Sequence, residues 1–321
     1  MGKSRVIIRS VEDKTIDECI AEILEFCNYR ELISHGTKVV IKPNLCTERL
    51  DMKDIANTSY GVIESVVKHV KELSDDVTIV ESDGARYTVE QAYENNGIYE
   101  LGKKYDLKLV NLSHDEQVWI ENDILGKWNF GKTFLDAEVF ITLPVLKTHA
   151  TTVFTGAIKN QWGCVPRRDR LVWHKYMNRL LTTIAQLVPP KITIMDGIVG
   201  MQGRGPINGY PINANVLIGS NDPVAVDAVG MRLIGLDPYT AEHITNAAAG
   251  GVGEIDPENI EIDGDFEGHR VDVEPAREDW AIIKLLNVVS RSEFLTRYLV
   301  LNDNLFYPVR SVIVKMRKLI G

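Results

Sequence analysis

Cysteine is scarce: Cys19, Cys27, Cys46 and Cys164 are the only four in 321 residues, and no C-x-x-C spacing joins any two of them. That excludes a zinc ribbon and a complete iron–sulfur binding run, and leaves reduced, mostly buried thiols as the expectation. Long apolar runs are also missing, since no stretch approaches the roughly 18 residues of a membrane span. The opening residues lead directly into Val6-Ile7-Ile8, which reads as a first strand and not as a signal peptide. Val6 stands where a myristoylation pattern would need Ser or Thr. A cytoplasmic protein is expected, at most peripheral to the inner face of the membrane.

Positive charge is in deficit. Thirty-six Lys and Arg face 45 Asp and Glu, a formal net charge of −9, which argues against nucleic acid as a partner because backbone binding needs a large basic surface. The 45% hydrophobic and 25% charged residues are those of an ordinary folded protein.

Short β-branched runs alternate with helical patterns. Val6–Arg9, Lys38–Ile41, Val77–Val80, Leu107–Leu112, Val139–Leu143, Ile192–Met195 and Val216–Ile218 read as strands. Ile16–Phe26, Tyr60–Leu73, Val89–Tyr105 and Arg179–Leu187 carry the apolar spacing of helices that cover a sheet. The fold class is therefore α/β: a doubly wound, mostly parallel sheet with helices on both faces, plus a C-terminal helical tail. Residues 1–276 form the core, as one body or as two lobes dividing near 145–190. Residues 277–321 form a basic tail, in which eight Lys or Arg against four acids give +4. Its apolar positions Val309, Val312, Ile313, Met316, Leu319 and Ile320 fit an amphipathic helix packed on the protein, on a second subunit or on a membrane surface.

Ligands of doubly wound sheets lie beyond the carboxyl ends of the strands, so the residues after each strand carry the functional signal. Lys42 and Asn44 flank a proline after one strand. Asp83 and Arg86 follow another, Lys147 and His149 a third, and Asp196 a fourth. Asp196 to Gly219 holds six glycines and prolines before position 210, among them Gly203 and Gly205, and reads as one long shaped binding loop. Asp222 and Pro223 read as the N-cap and first residue of a helix. His149 is a candidate acid/base because its ordinary pKa lies near neutrality. Lys147 and Lys159 could hold a carboxylate or phosphate or stabilise a developing oxyanion, with Asn160 beside them. On this reading His149, Lys159 and Asp83 are the catalytic candidates. Lys42, Asn44, Arg86, Lys147, Asn160, Asp196, Gly203 and Gly205 are the ligand-binding candidates, and Cys46 and Cys164 are weak metal or redox candidates.

Five blocks taken together carry a family resemblance: Ile41-Lys-Pro-Asn44, Leu143-Pro-Val-Leu-Lys-Thr-His149, Thr155-Gly-Ala-Ile-Lys-Asn160, Gly163-Cys-Val-Pro166 and Asn221-Asp-Pro-Val-Ala-Val-Asp227. In this order they resemble the domain-of-unknown-function family 362, over roughly residues 5 to 265. Members of that family often carry a ferredoxin-type cysteine-rich segment; this chain has none, so the resemblance implies that any electron transfer would use a separate ferredoxin. The His149 to Lys159 segment is also distantly similar to the lactate racemase family. That likeness implies a histidine acid/base at a hydroxy-acid carbon and a lysine tethering a nickel-pincer nucleotide. The sequence lacks that family's double glycine, reading Gly156-Ala157-Ile158 instead, and offers no second histidine partner. The expected function is an enzyme acting on a small anionic metabolite by isomerase- or epimerase-like acid/base chemistry. The alternatives are an oxidoreductase subunit working with an iron–sulfur partner, and a non-catalytic ligand-binding or scaffold protein.

Overall fold

The structure is a computed structural model that describes residues 2–85 and 87–273, with the isolated positions 292, 294 and 298. Arg86 and nearly all of the basic tail therefore lie outside the described residues. The strands are β1 (Ser4–Ser10), β2 (Val39–Pro43), β3 (Val77–Glu81), β4 (Lys108–Asn111), β5 (Gln117–Asn122), β6 (Gly126–Gly131), β7 (Val139–Leu143), β8 (Val145–His149), β9 (Val153–Phe154), β10 (Ile192–Gln202), β11 (Tyr210–Ile212), β12 (Val216–Ser220) and β13 (Ile260–Asp263).

The main sheet runs β13-β1-β12-β10-β7-β2-β3-β4. β10, β7, β2, β3 and β4 are mutually parallel, and β12 runs against both of its neighbours, β1 and β10. The fold is the α/β class expected, with a mostly parallel sheet. Every residue of β2, β3, β7 and β12 is buried, as strands covered on both faces must be. Side chains alternate between two cores: Val40, Val80 and Phe140 join one, while Val39, Ile41, Ile79 and Ile141 join the other. The helices Ile16–Phe26 and Tyr60–Lys71 press their buried residues into the second core, and Met177–Leu187, Pro223–Leu233 and Glu242–Ala249 into the first.

The strand order places the site. From β2 the chain steps outward to β3 and β4, then returns through the two-stranded β5–β6 ribbon to β7 on the opposite side of β2. The direction of winding reverses between β2 and β7, whose register pairs Lys42 with Thr142 and Pro43 with Leu143. A crevice at their carboxyl ends is where such a sheet leaves room for a ligand.

Two segments differ from the sequence expectation. Asp196 to Gly219 is not a free loop. β10 continues as one strand to Gln202 and pairs with β11, Gly200 opposite Ile212 and Gln202 opposite Tyr210. Its glycines serve close packing: a Cβ on Gly200 would lie 2.3 Å from the Leu146 carbonyl oxygen. The Val89–Tyr105 pattern is two helices, Val89–Asn95 and Ile98–Tyr105, broken at Gly97 with φ +71°.

Candidate active site

Lys42, at the end of β2, is fully buried and closed upon itself. Its Nζ lies 2.7 Å from Glu81 Oε2 on β3, 3.0 Å from the Pro43 carbonyl and 3.5 Å from Asn160 Oδ1. Asn160 in turn donates to the Lys42 carbonyl at 3.2 Å and to Thr142 Oγ1 at 2.9 Å. The second Glu81 oxygen accepts from the Ser82 amide at 3.0 Å. Charges and hydrogen bonds are matched here, as a buried ion pair requires if it is not to destabilise the fold. Lys42, Glu81 and Asn160 thus knot β2, β3 and β7 together beneath the crevice.

Lys147 is wholly buried on β8, and its surroundings contrast with this. Its Nζ donates to the Ala56 carbonyl at 2.6 Å and to Cys46 Sγ at 3.2 Å, and among the described residues no carboxylate bonds to it. Burial lowers its pKa, and Cys46 is the largest opposing influence. Two residues on, His149 accepts at Nδ1 from the Thr151 amide at 3.1 Å and the Thr152 amide at 3.3 Å. Backbone N–H groups can only donate, so the neutral ring carries its proton on Nε2. Burial first, then the positive charge of Lys159, holds the His149 pKa well below its ordinary value, so the ring is neutral at physiological pH. The β10–β11 turn closes over this strand: Thr148 Oγ1 donates to the Gly203 carbonyl at 3.1 Å and the Ala150 amide to the Gly205 carbonyl at 3.2 Å. A Cβ on Gly205 would meet the Thr148 carbonyl oxygen at 1.9 Å, so only glycine allows this approach.

Lys159 rides on the short helix Gly156–Asn160, which is held from below. Asp227 Oδ1 accepts from the Ala157 amide at 2.5 Å and Asp227 Oδ2 from the Ile158 amide at 3.0 Å. Gly156 sits at φ +62°, where a Cβ would lie 2.2 Å from Asp227 Oδ1, so both its conformation and its size are needed. Lys159 itself is partly buried, and among the described residues its amine has neither an ion pair nor a hydrogen bond. Burial, then Lys147, lowers its pKa to about 8. Its charge in turn helps to hold His174 and His243 down at about 3, after burial as the first cause. Lys147, Lys159, His149, His174, His243 and Arg170 therefore form one electrostatically coupled group in a protein of net charge −9. Glu81, the acid that acts on Lys147, is already committed to Lys42.

Buried polar atoms without partners occur in the same segments: Asn44 Nδ2, both amide atoms of Gln161, and the Trp162 indole nitrogen. Such atoms are rare in folded proteins, and beside a cationic group they mark a surface suited to a polar ligand. Both ring nitrogens of His243 are likewise without a hydrogen-bond partner among the described residues, and the Thr155 backbone only opposes the effect of burial on that ring.

The structure thus sets Lys42 against Asn160 with Asn44 bonded to the end of β7, packs Gly203 and Gly205 over the His149 strand, and couples Lys147, His149 and Lys159 electrostatically. Two of the expected residues are engaged elsewhere. Asp83 accepts at Oδ1 from the Val89 amide and from Asn111 Nδ2, both at 3.0 Å, and so anchors a helix and the outer strand β4 instead of facing the crevice. Asp196 accepts from the Ser59 amide at 2.8 Å and the Ile198 amide at 3.1 Å, capping the helix Tyr60–Lys71. Cys164 is buried in the core, whereas Cys46 is partly exposed. Glu81, Asp227, Arg170, His174 and His243 escaped the sequence reading. Only Asp227 left a signal there, as the last residue of the Asn221–Asp227 block.

Among the described residues no group of three or more His, Cys, Asp or Glu side chains could hold a metal ion. An iron–sulfur cluster does not fit, because Cys19, Cys27 and Cys164 are each buried in the core. A nickel-pincer nucleotide would find a free amine at Lys159 but no gathered protein ligands among the described residues. No described helix is long and apolar enough to cross a membrane.

Comparison with known proteins places these features in context. The family described as domain of unknown function (DUF362) matches residues 39–232, a stretch that includes β2, β8, Lys159 and Asp227. A curated relative, the thylakoid-associated protein sll1697 of Synechocystis, is 31% identical over 215 residues, covering 65% of this chain and 66% of the relative. The chain therefore spans just under two thirds of that protein. Among solved structures, the lactate racemase apoprotein from Thermoanaerobacterium thermosaccharolyticum aligns over 91% of each chain, at 9% identity and a TM-score of 0.44. A likeness that slight carries no function across.

Proposed function

We propose that this chain, which belongs to the family described as domain of unknown function (DUF362), is an enzyme that binds a small anionic metabolite in the β2–β7 crevice and moves a proton on it. The observation that carries the reading is the pairing of an unpartnered amine, Lys159, with a neutral histidine, His149, inside a cationic crevice. An amine with a pKa of about 8 is mostly protonated at neutral pH but holds roughly a tenth of its population as free base, far more than an ordinary lysine, and that form can accept a proton, here from carbon next to a carboxylate. His149 Nε2–H then donates to the oxygen on which negative charge develops. A neutral donor does this without surrendering its own proton. Lys147, Asn44 and Gln161 supply positive field and hydrogen bonds to the anionic end. This reverses the roles expected from sequence, where His149 was the acid/base and Lys159 the anchor.

The test is exchange of solvent deuterium into a panel of hydroxy acids and phosphorylated metabolites, followed by NMR. His149→Ala and Lys159→Met should each slow exchange by about 10²- to 10⁴-fold while the protein stays folded. Wild-type exchange rates in both variants would sink the assignment. The thylakoid association of the cyanobacterial relative supports a further element, peripheral membrane contact through the basic tail 277–321. Unchanged sedimentation with anionic vesicles after truncation at 276 would remove it.

A further inference from the structure

Arg170 is a cation of the coupled group for which the proton transfer has no use. Its side chain is partly exposed, and one of its nitrogens fixes it in place: Nη1 donates to Ser82 Oγ at 2.7 Å and to the Val165 carbonyl at 2.8 Å. Ser82, directly after β3, in turn donates to the Gly163 carbonyl at 2.6 Å. Arg170 is thus tied, directly and through Ser82, to the turn Gln161–Cys164 and the residue after it, and that turn continues the helix that bears Lys159. Its other two nitrogens, Nε and Nη2, make no hydrogen bond among the described residues, and no carboxylate among them pairs with it. The acids closest in sequence or contact are engaged: Asp169 with Arg167 and Glu81 with Lys42, each at 2.7 Å.

The same turn holds the Trp162 indole nitrogen, buried and without a partner, and the Trp162 ring meets the His174 ring with centroids 5.8 Å apart. The charge of Arg170 acts on both Lys159 and His174, and Lys147 acts on Lys159 as well. Lys159 therefore feels two other cations, only one of which, Lys147, serves the anionic end already described. A guanidinium whose free N–H groups form a fork is suited to a carboxylate or a phosphate, and like charges gathered together are relieved when an anion joins them.

We infer that Arg170, with Trp162 Nε1, is a subsite for a second anionic group, so that the metabolite is a small acid with two: a carboxylate at Lys147, and a further carboxylate or phosphate at Arg170. The substrate class rests on the proton-transfer reading of the crevice and sharpens it. When Lys159 is in the free-base form that accepts the proton, Lys147 and Arg170 remain as cations, which a dianion neutralises and a monoanion does not.

The test is calorimetric titration of the full chain with lactate, malate and 3-phosphoglycerate. The last two are lactate with one methyl hydrogen replaced by a carboxylate or by a phosphate ester. At least one of them should bind about tenfold to a hundredfold more tightly than lactate, as a charge-assisted pair is worth, and the tighter of the two identifies the second anion. Arg170→Gln should shrink that preference to about threefold or less, and Arg170→Lys, which keeps the charge but not the fork, should fall between. Because Nη1 also braces the turn, both variants are checked by circular dichroism; if Arg170→Gln does not fold, Arg170→Lys and the wild-type comparison decide. Lactate bound as tightly as both dianions, and weakened by Lys159→Met, would overturn the second subsite and leave the crevice reading standing. A preference for dianions that survives Arg170→Gln would also refute it, since the general field of the cations would then be the cause. Binding of none of the three acids would sink both.

Discussion

Two lysines of the same crevice, Lys42 and Lys159, show what separates a structural charge from a chemical one. Lys42 meets Glu81 at 2.7 Å and is braced by Asn160, whereas Lys159 meets no acid among the described residues and is depressed to about 8. The first is a closed account of charges and hydrogen bonds; the second leaves an amine without a partner on a helix that Asp227 holds in place. Burial alone does not mark a functional residue. A buried group whose partners are all present is part of the scaffold, and one left unpartnered at a topological switch point awaits a ligand.

The sharpest way to break this contrast is to unpair Lys42. Glu81→Gln should destabilise the protein by about 3–5 kcal/mol in urea unfolding, because an uncompensated buried charge remains. The double variant Lys42→Met with Glu81→Gln should recover much of that loss; no recovery would mean that the pair is not the unit described.

Asp227→Ala comes next. It removes both acceptors beneath the Gly156–Asn160 helix and should cost about 1–3 kcal/mol. Because it also frees Lys159 from its position, it should weaken anion binding more than a stability loss of that size explains.

The buried histidines give a pH signature. His243, fully buried, titrates near 3 in the fold and near about 6.5 unfolded, so between those values the unfolded chain binds more protons. Stability should therefore fall as pH drops from 6.5 toward 3, by no more than about 1.4 kcal/mol per pH unit from this group. His243→Leu should flatten that slope. A variant as acid-sensitive as wild type would show that His243 does not carry it.

The smallest effect is expected at Lys159. Its folded pKa of about 8 lies below the unfolded value near 10.4, so it adds stability as pH rises between them and costs stability below. Lys159→Met should leave the neutral-pH midpoint unchanged or slightly higher and lose the alkaline rise. A clear loss of stability at neutral pH would place Lys159 with Lys42, in the scaffold.

Much of the fold was legible because Val39-Val-Ile41, Val77-Thr-Ile-Val80 and Val139-Phe-Ile-Thr-Leu143 are runs that only a doubly covered sheet can bury. The β10–β11 pairing was not, because glycines that read as loop residues admit the Leu146 and Thr148 carbonyls to close contact. For the site, position after a strand pointed to Lys42, Lys147 and His149, which the structure places at the ends of β2 and β8. It misled for Asp83 and Asp196, whose carboxylates are taken up by the amides of Val89, Ser59 and Ile198. Sequence position cannot tell a cap from a ligand. Nor could it reveal His174, a short way past Lys159, and His243, on the distant Glu242–Ala249 helix, whose electrostatic coupling to Lys159 arises from tertiary packing.

The most direct measurement is a calorimetric titration with phosphate and a small hydroxy acid on wild type, Lys159→Met and Asp83→Asn. Binding weakened about tenfold or more by Lys159→Met, and left nearly unchanged by Asp83→Asn, is the predicted result. Equal binding by wild type and Lys159→Met would contradict the crevice as the site of function.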